Sequence, residues 1–135
     1  MQLTAEVASV SKKRLWAGWI FSGLALLVFA LTAMLGMLNP AAAAQASAHY
    51  GYPDGSMARI AIVELVCVLL YAIPRTSVLG AILLTGYLGG AISTHVRAGE
   101  PFYLPLGVGA IVWLGLFLRD ARLRALLPLR SPAPQ

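Results

Sequence analysis

Hydrophobic positions in this sequence come in long, nearly unbroken runs. The first, LWAGWIFSGLALLVFALTAMLGML from Leu15 to Leu38, follows the basic triplet Lys12, Lys13 and Arg14 and stops at Asn39 and Pro40. A second runs from about Met57 to Ile73 and ends where Pro74 cannot continue the helical hydrogen-bond ladder. The third covers about Ser77 to Val96. The fourth covers about Phe102 to Leu118, with Pro105 in its first turn, where a missing N–H costs little. A helix needs about 20 mostly apolar residues to cross the hydrocarbon, with ~17 to 25 as the working range. The runs therefore predict four membrane helices at about 15–38, 57–73, 77–96 and 102–118. The expected fold is all-α, an integral membrane antiparallel four-helix bundle over 15–118, with a cytoplasmic N-terminal segment 1–14 and a basic cytoplasmic tail 119–135.

Composition agrees with lipid as the main solvent. Of the 135 residues, 59% are hydrophobic and 11% charged, with a mean hydropathy of +0.79. A soluble domain of this size could not bury so much apolar surface. The net charge of +5 does not point to nucleic acid, because the basic residues flank apolar runs. With the N-terminus inside, Lys12, Lys13, Arg14, Arg75, Arg119, Arg122, Arg124 and Arg130 fall on the cytoplasmic side, and only Arg59 and Arg97 fall outside. That asymmetry predicts both termini in the cytoplasm and a multi-pass protein of the inner (plasma) membrane. Ala-x-Ala steps follow the first run, in NPAAAAQASAHYGYPDG, but a signal-peptide core spans only about 7 to 15 residues. The first run is expected to stay as an uncleaved helix, followed by an external loop carrying a short interfacial helix through the alanines.

Candidate chemistry is sparse. Cys67 is the single cysteine, so the chain has no disulfide of its own and no CxxC pair, and the thiol reads as core packing. The two histidines, His49 and His95, do not share a helix at ligand spacing, and no metal site is expected. Glu64 is the most informative residue, because it lies within ARIAIVELVCVLLYAIP with apolar neighbours on both sides. A carboxylate facing lipid would cost a few kcal/mol, so Glu64 should face the bundle and be paired or protonated. Matching depths at ~1.5 Å per residue sets it opposite the outer half of the third span, with His95 and Arg97 within reach and Arg59 nearby. That polar cluster is either a buried staple that fixes register or a site for protons or ligand. Tyr87 and Trp113 sit near mid-membrane, where aromatic residues pack or line sites for flat hydrophobic ligands such as quinones. Gly86 and Gly90 form a GxxxG pair, and Gly89 with Ser93 repeats the spacing, so this stripe is expected to pack closely on another helix of the chain, with a second subunit as the alternative. The tail RDARLRALLPLR reads as an interfacial anchor on anionic lipid.

The segments ELVCVLLYAIPRTSVLGAILLTGYLGGAISTHVRAGEP and LRDARLRALLP resemble the DoxX-like family of small four-helix membrane proteins, and the likeness extends from about Gly51 to Arg130. It departs in the first span, where AMLGMLNP lacks the lysine that related chains often carry near the helix end. The wider DoxX family is named for a membrane subunit associated with thiosulfate:quinone oxidoreductase and terminal oxidase systems. The resemblance therefore implies a non-catalytic or quinone-adjacent subunit of a redox-linked complex, with no cofactor of its own and quinone as the ligand class left open. The alternatives are a binder or carrier of a small hydrophobic molecule and a membrane anchor for a cytoplasmic partner. The lipid bilayer and a redox-enzyme subunit are the expected partners, with a homo-oligomer left open, and no self-sufficient catalytic activity is expected.

Overall fold

The computed structural model describes residues 10–127, so most of the N-terminal segment and the Pro-rich end with Arg130 lie outside the described residues. The described chain is all-helical and contains six helices, two more than the four spans expected from hydropathy. Helix α1, Lys12–Leu38, begins at Ser11, whose side chain accepts from the Arg14 amide, and ends at Asn39. Asn39 then starts α2, Pro40–Tyr50, because its side chain accepts from the Ala42 amide and Pro40 occupies the first turn. The alanines of this segment favour helix, and α2 is the short helix expected there between the first two spans. Helix α3 is Ser56–Ala72, α4 is Ser77–Ala98 and α5 is Tyr103–Arg119. Helix α6, Ala121–Leu126, was hidden by the basic composition of the tail and is capped by the Asp120 carboxylate, which accepts from the Arg122 and Leu123 amides.

Two helices, α1 and α4, are long and apolar enough to cross a membrane, with mean hydropathies of 2.2 and 1.4, and α5 is a shorter apolar helix. Much of their apolar surface stays uncovered by protein, including Leu27, Leu31 and Leu35 on α1 and Ile82 on α4.

The four longest helices form a ring in which α1 packs on α3 and α5, and α4 packs on the same two. Its centre is the buried hydroxyl of Tyr71 on α3, which donates to the Val112 carbonyl of α5 at 2.8 Å. One phenol proton serves one acceptor, so Ser22 of α1 is the donor in its 3.0 Å contact with the same oxygen. Three helices are thus tied at one point, with Ala25, Leu84 and Leu116 packed around it. Close approach comes from glycines outside the expected stripe. A Cβ on Gly80 would lie 2.2 Å from the Tyr71 amide nitrogen, and one on Gly18 would lie 2.8 Å from Arg119 Cβ.

Gly86, Gly89 and Gly90, by contrast, have nothing within 4 Å of a built Cβ, and Ser93 is exposed with them. Close packing of this stripe inside the chain is therefore corrected. The buried stripe of α4 is Ser77, Gly80, Ala81, Leu84 and Leu88, and at 100° per residue the glycine stripe lies on the opposite face.

Candidate functional site

Glu64 turns inward on the buried face of α3 that also holds Ala61, Cys67, Val68 and Tyr71, and it is only 3% exposed. Neither His95, Arg97 nor Arg59 pairs with it. Its partners are neutral hydroxyls: Thr32 of α1 at 2.5 Å from Oε1, and Tyr87 of α4, which donates to Oε2 at 3.0 Å. Among the described residues no Lys, Arg or His lies within salt-bridge distance of this carboxyl, since both close histidine–carboxylate contacts are made by Glu100.

Counting protons shows what such a site can do. Thr32 has one hydroxyl proton, but its Oγ1 lies 2.5 Å from Glu64 Oε1 and 3.0 Å from the Phe29 carbonyl, which accepts only. If Thr32 donates to Phe29, the Thr32–Glu64 contact must use a proton on Glu64. If Thr32 donates to Glu64, the contact needs no proton on the carboxyl, and the ionised form fits. The same heavy-atom arrangement therefore accommodates both forms, and a carboxylate has lone pairs left for a further donor.

Three cavities meet at Tyr87, which lines all of them, and Thr32 and Glu64 line the second and third. The largest, about 400 Å³, lies between Met57 and Ile60 on α3 and Gly86, Gly90 and Thr94 on α4. A second, about 380 Å³, opens between α1, α2 and α3 and reaches Thr32, Gly36 and Glu64. The third, about 180 Å³, holds Phe29, Glu64, Leu88 and His95 among its walls. Walls that are mostly apolar, with a few convergent polar groups, are what a small hydrophobic ligand requires. His95 thus shares a cavity with Glu64 without bonding to it. Trp113 is not brought to the site, because its indole N–H donates to Thr85 at 2.8 Å and it lines none of the three cavities. Arg59 is exposed at the start of α3.

His95 and Arg97 instead help to clamp the end of α2 and Tyr52 just beyond it across the cavity mouth. Gly99 adopts a left-handed φ of 72°, which ends α4 and turns Glu100 back over it. Glu100 then meets His49 Nε2 at 2.6 Å, His95 Nδ1 at 3.0 Å and the Tyr50 hydroxyl, which donates to it at 3.0 Å. Arg97 donates to the Tyr50 carbonyl at 2.9 Å and lies 5.5 Å from the Tyr52 ring centre. Thr94 donates to the Gly90 carbonyl, which leaves Tyr52 as the donor in its 2.7 Å contact with Thr94. Tyr50, Tyr52 and His95 all line the largest cavity, so this clamp forms its outer rim.

The His49 hydrogen bond, and then that of Tyr50, holds the Glu100 carboxyl below its ordinary range. Burial, followed by the Glu100 hydrogen bond, raises the Tyr50 phenol. A lowered carboxyl adds stability that is present above the ordinary glutamate pKa of about 4.3 and disappears as pH falls through the lower folded value. Glu100→Gln is therefore expected to speed amide hydrogen exchange through α2 at neutral pH. The native chain should loosen in the same way only on acidification below the usual glutamate range. Equal exchange in both proteins at neutral pH would show that the clamp is not held by this carboxylate.

Sequence reasoning missed Thr32, yet it is the one hydroxyl in the C-terminal half of α1, six residues before its end at Leu38. Depth matching against Glu64 could have found it. The first helix thus supplies a neutral hydroxyl to the site.

A family model described as the DoxX-like family matches residues 20–116. No curated protein and no solved structure matches the chain.

Proposed function

The chain belongs to the DoxX-like family, and from that premise we propose a membrane protein that binds a small, mainly apolar molecule with its polar head at Glu64 and Tyr87 and its body in the α3–α4 cavity beside Tyr87 and Gly90. In this reading α1, α3, α4 and α5 cross the inner membrane as an antiparallel bundle with both termini in the cytoplasm. The excess of Lys and Arg on the cytoplasmic side supports that orientation. The Glu64 site then lies in the outer leaflet, below the clamp.

The observation that carries the reading is a buried carboxyl held by two neutral hydroxyls, without a cation among the described residues, at the wall of mostly apolar cavities. A structural staple would be expected to carry a counter-charge, and a solidly packed core would leave no such space. A carboxyl that fits its surroundings with or without a proton suits a ligand whose polar head both accepts and donates hydrogen bonds. Quinone and quinol are such a pair, and they accord with a role as a quinone-adjacent, non-catalytic subunit of a redox-linked complex.

Isothermal titration of the purified protein with a short-chain quinone tests the reading. Glu64→Gln keeps the size of the side chain, and its amide can donate to Thr32 while its carbonyl accepts from Tyr87. The fold should therefore survive, while affinity should fall by roughly tenfold or more with the loss of a charged or acidic hydrogen-bonding partner. Absence of binding by the native chain, or equal affinity in the variant, would exclude this site for quinones.

A further inference from the structure

A separate cavity of about 350 Å³ lies at the opposite end of the helix ring, where the start of α1 meets the α5–α6 junction. Gly18 sets its geometry, because the close approach of α1 to α5 at that glycine brings Arg119 against the first helix. The Arg119 guanidinium folds back over Trp19, 4.4 Å from the ring centre, and lies 5.3 Å from the Tyr71 ring. One of its NH2 protons is directed to the Tyr71 carbonyl at 3.4 Å, while the buried Nε–H bonds to no protein atom. Among the described residues neither Arg119 nor Arg122, which also lines the cavity, forms an ion pair with a carboxylate. Asp120 also lines the cavity, and its Oδ1 accepts from the Arg122 and Leu123 amides at the start of α6. Arg124 turns away to the Phe117 and Leu118 carbonyls.

A half-buried guanidinium held flat on an indole, with a second arginine beside it and no carboxylate paired to either, is suited to an anion with several acceptor oxygens. Leu15, Leu116 and Trp19 supply apolar wall next to the cations. We propose that this cavity binds a phosphate group, contributed by the headgroup of an anionic phospholipid whose acyl chains lie along those apolar side chains. This is a discrete site of one lipid per chain, distinct from diffuse attraction of the basic tail to a charged surface. It is independent of the Glu64 reading, and only the name of its leaflet depends on the proposed orientation.

The test is a set of parallel titrations of the full chain in an uncharged detergent, with short-chain phosphatidylglycerol, short-chain phosphatidylcholine and inorganic phosphate. Phosphatidylglycerol should bind once per chain and roughly tenfold more tightly than phosphatidylcholine. Combining Arg119→Gln with Arg122→Gln should remove that preference. Because Arg119 also packs on Trp19 and Tyr71, Arg122→Gln alone carries the test if the double variant does not fold, with a several-fold loss expected. Inorganic phosphate that binds as tightly as phosphatidylglycerol and is lost in the same variants would retain the phosphate site but overturn the lipid source. Equal affinity for the two lipids, or selectivity kept in a folded variant, would overturn the site.

Discussion

Gly80→Ala is expected to be the most damaging single methyl in the chain. The added carbon would lie 2.2 Å from the Tyr71 nitrogen and 2.5 Å from its Cα, so the clash is with backbone and no rotamer change relieves it. Helix α3 cannot retreat, because the Tyr71 hydroxyl is tied to Ser22 on one side and to the Val112 carbonyl on the other. Overpacking of a core commonly costs about 1 to 3 kcal/mol, and a fixed backbone on both sides places this variant at about 3 kcal/mol or more. Thermal melting in detergent should show a large loss for Gly80→Ala. Gly89→Ala, with nothing within 4 Å of the new carbon, should melt like the native chain or slightly above it. Equal melting of the two variants would contradict the packing of α3 on α4.

That contrast also marks what was legible in the sequence. The apolar runs, Pro74 and the Asn39–Pro40 pair located the long helices, because length and backbone chemistry decide those features locally. GYLGGAIS was harder, since spacing shows that Gly86, Gly89, Gly90 and Ser93 share a face but not which way it points. The larger residues of α4 decide that. Leu84 and Leu88 are buried, and they turn the glycines away from the ring. Small-residue spacing alone was a weaker guide than the opposing stripe of Ala81, Leu84 and Leu88, which could have been read from the same segment.

Glu64 was legible as an inward-facing carboxyl because its apolar surroundings leave few alternatives. Its partners were not. Rise per residue placed it near the outer end of α4, but Tyr87 lies deeper and carries its hydroxyl on a long ring that reaches Oε2. His95 and Arg97 had better partners in Glu100 and the Tyr50 carbonyl, brought to them by the Gly99 turn and the end of α2. A competing carboxylate on a turn and a backbone carbonyl on another helix are tertiary facts, which depth matching between two helices does not contain.

The outward glycines acquire a role in this account. Gly86 and Gly90 line the cavity of about 400 Å³ beside Tyr87, so the missing side chains are what keep that space open. A leucine at position 90 would project from the α4 wall into the cavity, while meeting no atom within 4 Å at its Cβ and raising helix propensity. Fold and ligand binding should therefore separate in this variant. The most direct measurement is quinone titration of the native chain against Gly90→Leu, with melting recorded on the same samples. Unchanged or higher melting with binding reduced by more than roughly tenfold, as expected when a well-formed pocket is occluded, is the predicted result. Native-like quinone affinity in a folded Gly90→Leu protein would contradict the account.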